Sequence, residues 1–201
     1  MTDDRFAHEA FFIDQLIRPL ANLYRISTLG SDGSSPGQPL AFVRQKKLAI
    51  KEDIRFFANE NEQEELFRLK ARQVIEIRGR YDVLTPDGAR VGTLEKVFGT
   101  SLLRSTWRIL DANEAEVATA REKSFPMALL RRGIDLVPYG EFVPVLFQFE
   151  ILMDGHVVGE MRRPVGFRDR YTLKLPGDPD RRIDRRVAVA LAIALDALQS
   201  R

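Results

Sequence analysis

The fold follows from one C-terminal stretch, Ile183-Asp184-Arg185-Arg186-Val187-Ala188-Val189-Ala190-Leu191-Ala192-Ile193-Ala194-Leu195-Asp196-Ala197-Leu198. Large and small side chains alternate along it as in a strand, but alanine at every second position favours a helix. Wound as a helix, the stretch has two apolar faces, with Val187, Leu191, Leu195 and Leu198 on one and Val189 and Ile193 on the other. A helix that is apolar all round must be enclosed by protein or lipid. Asp180 or Asp184 is its expected N-cap.

The remainder of the chain consists of short extended segments separated by turns. Thr85-Pro86-Asp87-Gly88 and Met153-Asp154-Gly155-His156 are two such turn signals. The pattern predicts twelve strands, near residues 10–15, 22–28, 39–47, 53–58, 65–72, 80–85, 90–98, 105–111, 116–122, 142–152, 156–161 and 167–175. Two of these assignments have helical alternatives, an amphipathic helix over 5–18 and a short turn within 60–70.

These two parts of the chain fit together in one way. A closed barrel of about twelve strands has a lumen too wide for its own side chains to fill. The C-terminal helix spans roughly 24 Å, which is close to the height of a barrel of tilted strands. We therefore predict an all-β fold with one central helix. It is a closed antiparallel barrel of about twelve strands enclosing a hydrophobic C-terminal helix. The prediction is a single domain over 1–201, with strands over about 10–175 and the helix over about 183–198.

Scattered short matches connect this pattern to a known family. They are Asn22-Leu23-Tyr24-Arg25-Ile26, Tyr81-Asp82-Val83-Leu84 with Gly88 and Val91-Gly92 after it, and Trp107-Arg108-Ile109-Leu110-Asp111-Ala112. With the C-terminal stretch, they make the chain resemble the LURP-one-related and phospholipid-scramblase-like branch of the tubby C-terminal-like superfamily. The resemblance implies a twelve-stranded barrel around a central helix, and binding of phosphoinositide headgroups through surface lysine and arginine.

Composition limits the function. The 201 residues include 31 Lys and Arg against 29 Asp and Glu, a net charge of +2 that argues against a dedicated nucleic-acid binder. The absence of cysteine excludes disulfides and thiolate sites and fits a reducing compartment. The acidic start Met1-Thr2-Asp3-Asp4 is unlike a signal peptide, and no apolar run is long enough to span a bilayer. We expect a cytoplasmic protein without a transmembrane segment, peripheral at the membrane if it binds lipid.

Candidate catalytic and metal sites are weak in this sequence. Gly33-Ser34-Ser35-Pro36-Gly37 matches the nucleophile elbow of hydrolases, but a strand follows it where the elbow requires a helix. His8 and His156 are the two histidines, too few for a zinc site in a chain without cysteine. The acidic residues of 178–184 have arginines among them, which predicts helix capping and charge pairing in place of calcium binding. The sequence therefore predicts no enzyme, no cofactor and no metal.

The densest basic stretch is Arg44-Gln45-Lys46-Lys47-Leu48-Ala49-Ile50-Lys51, on a predicted strand and turn. Such a cluster can bind an anionic headgroup through charge-assisted hydrogen bonds, or it can be a solvated edge that discourages aggregation. The candidate headgroup ligands are Arg44, Lys46, Lys47, Lys51, Arg131 and Arg132. Arg185 and Arg186, at the helix start, are expected to extend to the barrel mouth.

A second function remains open on the sequence. The longest irregular connection, residues 124–140, is rich in apolar side chains and can supply the contact surface for a protein partner. Those side chains, with the residue that follows, are Phe125, Met127, Leu129, Leu130, Tyr139 and Phe142. The alternative to a lipid-binding module is therefore a cytosolic scaffold or regulatory protein that binds through this loop and the barrel surface.

Overall fold

A computed structural model describes residues 4–17, 21–46, 53–72, 79–97, 105–123, 148–163 and 170–199. After a 3-10 turn at Asp4–Phe6, these residues form twelve strands and one C-terminal helix, α1 (Arg185–Gln199). The strands are β1 (Ala10–Ile17), β2 (Ala21–Leu29), β3 (Pro36–Lys46), β4 (Asp53–Phe57), β5 (Glu65–Ala71), β6 (Arg80–Leu84), β7 (Arg90–Val97), β8 (Thr106–Leu110), β9 (Glu116–Glu122), β10 (Gln148–Met153), β11 (His156–Arg162) and β12 (Arg170–Lys174).

The strands close into one antiparallel barrel. Each strand pairs with its neighbours in sequence, and β1 completes the ring by pairing with β12, with Ala10 opposite Lys174. Within the described residues, every strand therefore has a paired neighbour on both sides, which removes the usual template for edge-to-edge aggregation. The predicted closed barrel of twelve strands is confirmed.

Alternation along the strands separates a core face from a solvent face. In β5, Phe67 and Leu69 are fully buried, and Arg68 between them points outward. In β1, Phe11 and Ile13 belong to the core cluster of the barrel. The helical alternative for residues 5–18 was therefore wrong, because a period of two residues, and not 3.6, carries the buried side chains. Within 60–70, a short turn is present at Glu60 and Asn61, and β5 begins at Glu65.

Helix α1 fills the lumen. The side chains of residues 187–195 and of Ala197 are buried and share one apolar cluster with the inward residues of the strands. Asp196 is buried as well but belongs to a polar cluster. The helix begins at Arg185 because Asp184 is the N-cap: its Oδ1 accepts a hydrogen bond of 2.9 Å from the Arg186 N–H. The predicted central helix is confirmed.

The start of the helix packs against a strand position that has no side chain. A Cβ added to Gly92 of β7 would lie 2.6 Å from the Leu110 carbonyl oxygen and 2.8 Å from Cγ2 of Val187. Glycine at this position therefore allows the start of α1 to lie directly against the sheet.

Turn chemistry sets the hairpins much as predicted. Asp154 and Gly155 both have positive φ, 52° and 81°, as a two-residue type I′ turn requires. β3 begins at Pro36, three residues earlier than predicted, because its pairing with β2 shifts register twice between Ile26 and Leu29. The predicted starts of the tenth and twelfth strands, and the loop 124–140, lie outside the described residues. The single-domain organisation over 1–201 stays a prediction.

Candidate anion-binding surface

Three arginines lie side by side on the outer face of the barrel. Arg44 of β3 is directly opposite Arg55 of β4, and Arg55 is directly opposite Arg68 of β5. Directly opposed residues in an antiparallel sheet have Cβ atoms about 4.5–5.5 Å apart. We call Arg44, Arg55 and Arg68 the arginine row. Guanidinium groups on adjacent strands can donate several hydrogen bonds to one anion.

Carboxylates of the same region pair with the arginine row. Arg55 lies 3.2 Å from Asp53 and 3.7 Å from Glu65, and Arg68 lies 2.7 Å from Glu65. These ion pairs offset the repulsion between like charges on adjacent strands. Because the side chains of Arg44 and Arg55 remain 45% and 47% exposed, a ligand from solvent can reach both.

The loop between β4 and β5 folds back over β2 and β3. We call residues 58–64 the strap. Arg25 Nε donates a hydrogen bond of 2.6 Å to Glu60, and Arg44 Nη1 donates to both oxygens of Glu62 at 2.9 and 3.0 Å. The hydrogen bond from Arg25 to Glu60 raises the pKa of the Arg25 guanidinium. The strap is closed at its base by a bond from the Ala58 N–H to the Glu64 carbonyl, 2.9 Å long.

A groove of about 420 Å³ lies between the strap and the outer face of β1 to β3. Phe12 and Phe42 form its floor, and Arg25, Asp14 and Glu60 form its polar rim. Its remaining lining residues are Ile26, Ser27, Pro36, Gly37, Pro39, Ala41, Ala58 and Asn59. Phe12 and Phe42 are almost completely buried although they lie outside the core cluster. We call this cavity the strap groove.

The structure places one predicted ligand fully. Arg44 is on the outer face as alternation predicts, and Lys46 is the last residue of β3, with its side chain outside the description. The other four predicted ligands, Lys47, Lys51, Arg131 and Arg132, lie outside the described residues. Arg55 and Arg68 were missed. Alternation in their own strands marks them as outward-facing, but local sequence does not reveal the register that brings them beside Arg44.

Comparison with known proteins gives one family assignment. A family model described as LURP-one-related matches residues 40–196. The chain belongs to the LURP-one-related family. The matched span runs from β3 to α1 of this LURP-one-related barrel, so it includes the arginine row and excludes Arg25 and β1. No curated protein matches the chain significantly.

One prediction for this LURP-one-related protein is corrected at the start of α1. Arg185 does not extend to the barrel mouth: its side chain is 3% exposed and its Nη1 lies 2.7 Å from Oδ2 of Asp178, itself 1% exposed. Asp178 also accepts hydrogen bonds from the N–H groups of Arg182 and Ile183, at 2.8 and 3.0 Å. Arg185 donates to the carbonyls of His8 and Asp178 as well. The acidic segment therefore caps and pairs charges, as predicted. Arg185 can be buried because each of its three guanidinium nitrogens donates to a protein acceptor.

A second polar cluster lies at the other end of the helix. Asp196 accepts a hydrogen bond of 2.7 Å from Tyr24 of β2 and a short one from Tyr171 of β12. Burial and the adjacent Asp196 carboxylate raise the pKa of both tyrosines far above its usual value, so both phenols stay protonated and act as donors. The two tyrosines hold the end of α1 against the part of the barrel where β1 pairs with β12. This cluster lies inside the barrel, whereas the arginine row lies on its outer face.

The weaker motifs have structural explanations. Ser35 donates a 2.9 Å hydrogen bond to Asp32, and β3 follows it directly, so the helix of a nucleophile elbow is replaced by a strand. The backbone N–H groups of Ser34 and Ser35 lower the pKa of Asp32 to about 2. His156 is exposed beside its turn, and His8 is half-buried.

The acidic and histidine side chains of the described residues are dispersed. No three His, Asp or Glu side chains among them are grouped so that they could hold a metal ion. Over the same part of the chain, no helix has both the length and the hydropathy needed to cross a bilayer.

Proposed function

We propose that this protein is a non-enzymatic binding module that recognises anionic phospholipid headgroups with the outer face of β3 to β5. The arginine row carries the proposal, since it places three guanidinium groups on adjacent strands where a phosphate can contact more than one. Membership in the LURP-one-related family supports a tubby-like barrel without catalytic machinery. The protein then acts in the cytoplasm and binds membranes peripherally.

The predicted basic stretch extends the same surface along the chain. Arg44 contributes directly to the row, and Lys46, Lys47 and Lys51 follow it in sequence. Each basic side chain near an anionic membrane surface contributes about 1 kcal/mol to binding. Arg131 and Arg132 remain proposed secondary ligands.

Vesicle co-sedimentation tests the proposal. Purified protein is mixed with neutral, phosphatidylserine-containing or phosphoinositide-containing vesicles at low and high salt. We expect salt-sensitive binding to anionic vesicles that falls at least about tenfold in Arg44→Gln/Arg55→Gln, because two headgroup contacts are lost. Lys46→Glu/Lys47→Glu tests the adjoining lysines in the same assay.

A matched control distinguishes binding at the arginine row from a general effect of net positive charge. Arg108 and Arg121 are also outward-facing, are 41% and 48% exposed, and pair with Glu116 and Glu150. Arg108→Gln/Arg121→Gln removes the same charge from another part of the barrel and should retain most of the binding. Equal losses in the two double variants would contradict a site at the arginine row. Absence of binding to every vesicle would favour the alternative, a protein partner bound through 124–140.

A further inference from the structure

The strap groove lies next to the first arginine of the arginine row. In β3, Phe42 of the groove is two residues from Arg44, so both side chains lie on the outer face. Arg25, which lines the groove, is directly opposite Phe42 in the neighbouring strand. One guanidinium group, Arg25, is therefore in the groove wall, and a second, Arg44, is adjacent to the groove on the same outer face.

The chain's own glutamates occupy these two guanidinium groups. Glu60 and Glu62 approach Arg25 and Arg44 as the carboxylate of a bound ligand would, one with a single hydrogen bond and one with two. Both glutamates belong to the strap, which has three Glu among seven residues. Glu62 has a φ of 58°, a left-handed conformation that is uncommon for a non-glycine residue.

We infer that the strap groove binds an amphiphile with one anionic group and an alkyl chain. The chain lies on Phe12 and Phe42, and the anionic group takes the places of Glu60 at Arg25 and Glu62 at Arg44. The inference rests on the proposed function and adds two features to it: a site for the apolar part of the ligand, and competition by the strap.

Size and charge support this occupant. A volume of about 420 Å³ falls among small-molecule pockets, which measure about 300–1,000 Å³. The other carboxylate of the rim, Asp14, is directly opposite Arg25 and lies 3.5 Å from Arg170, which offsets part of its charge. Displacement of Glu60 therefore frees the Arg25 Nε–H to donate to an incoming anion.

Calorimetric titration with alkyl phosphates below their micelle concentrations tests the inference. We expect decyl phosphate to bind at least about tenfold more tightly than hexyl phosphate, because four more methylenes enter the groove. Inorganic phosphate, which lacks a chain, should bind most weakly. Equal affinities for all three probes would overturn the inference.

The strap is tested by removing its charges. Glu60→Gln/Glu62→Gln should tighten decyl phosphate binding about three- to tenfold, the effect of releasing two exposed ion pairs. The matched control is Glu114→Gln/Glu116→Gln, which changes the net charge equally and also releases carboxylates from arginines, at Arg90 and Arg108. A gain no larger than that of the control would overturn competition by the strap.

The groove itself is tested by filling it. Ala58→Leu adds bulk at the base of the strap and should weaken decyl phosphate at least about tenfold, with inorganic phosphate unchanged. Circular dichroism is the control for the folding of this variant.

If wild-type protein sediments with anionic vesicles while the length of the alkyl chain has no effect on affinity, the inference fails and the proposed function stands. If chain length matters but Arg44→Gln/Arg55→Gln sediments normally, the proposed headgroup surface fails, and with it the placement of the anionic group at Arg44.

Discussion

Arg185 and Arg186 are neighbours in sequence but occupy different environments at the start of α1. Arg185 is enclosed with Asp178, and nearly every donor of its guanidinium group has a protein acceptor. Arg186 pairs with Asp184 at 2.7 Å where both side chains are partly exposed. Removing one partner of a buried pair leaves an uncompensated charge, whereas a solvated pair contributes little.

This contrast predicts different stabilities for two matched variants. Arg185→Met should lower the free energy of unfolding by about 3–5 kcal/mol, because Asp178 loses its counter-charge while it remains buried. Arg186→Met should lower it by about 1 kcal/mol or less. Urea denaturation at neutral pH measures both. Similar losses in the two variants would show that burial does not distinguish the pairs.

At the scale of elements, the contact between α1 and β7 depends on Gly92. The start of the helix carries Val187, whose side chain occupies the space that a side chain at position 92 would need. A side chain at Gly92 would meet both Val187 and the backbone of the adjacent strand at Leu110. The position of the helix is thus fixed from the wall as well as from its cap at Asp184.

Gly92→Ala should therefore destabilise the barrel by about 1–3 kcal/mol, the usual cost of overpacking a core. Val187→Ala removes one of the two close contacts. The double variant should be less destabilised than the sum of the single variants, because both changes act on the same space. Additive free energies of unfolding would mean that Gly92 and Val187 do not interact.

The elements also show what sequence can and cannot predict. Turn residues and alanine-rich helix chemistry act locally, so the hairpin at Asp154-Gly155 and helix α1 could be predicted closely. The arginine row depends on register, and the β4–β5 pairing shifts between Phe56 and Phe57, which no local pattern indicates. The burial of Arg185 was missed for a similar reason, because its partner Asp178 reaches it through a turn in the preceding loop.

At the scale of the whole molecule, barrel and helix form one core. Trp107 is the single tryptophan of the chain and lies fully buried in β8, within the same cluster as the helix side chains. The strands and α1 bury their apolar side chains against each other, so neither can unfold without exposing the apolar surface of both. The predicted single domain should therefore unfold cooperatively.

Coincident transitions would support that prediction. Trp107 fluorescence reports on the barrel wall, and far-ultraviolet circular dichroism reports on the whole secondary structure, including α1. In a urea titration the two signals should give the same midpoint and slope within error. Separate midpoints would indicate that one part of the chain unfolds independently.

The closure of β1 on β12 also constrains how the protein is made. Ala10 can pair with Lys174 only after all the other strands have been synthesised, and the helix that fills the ring follows later still. Contacts so distant in sequence slow folding, and the early strands leave the ribosome with an apolar face and no core to cover. We therefore expect ribosome-bound chains that lack β12 and α1 to be more sensitive to protease than the closed barrel.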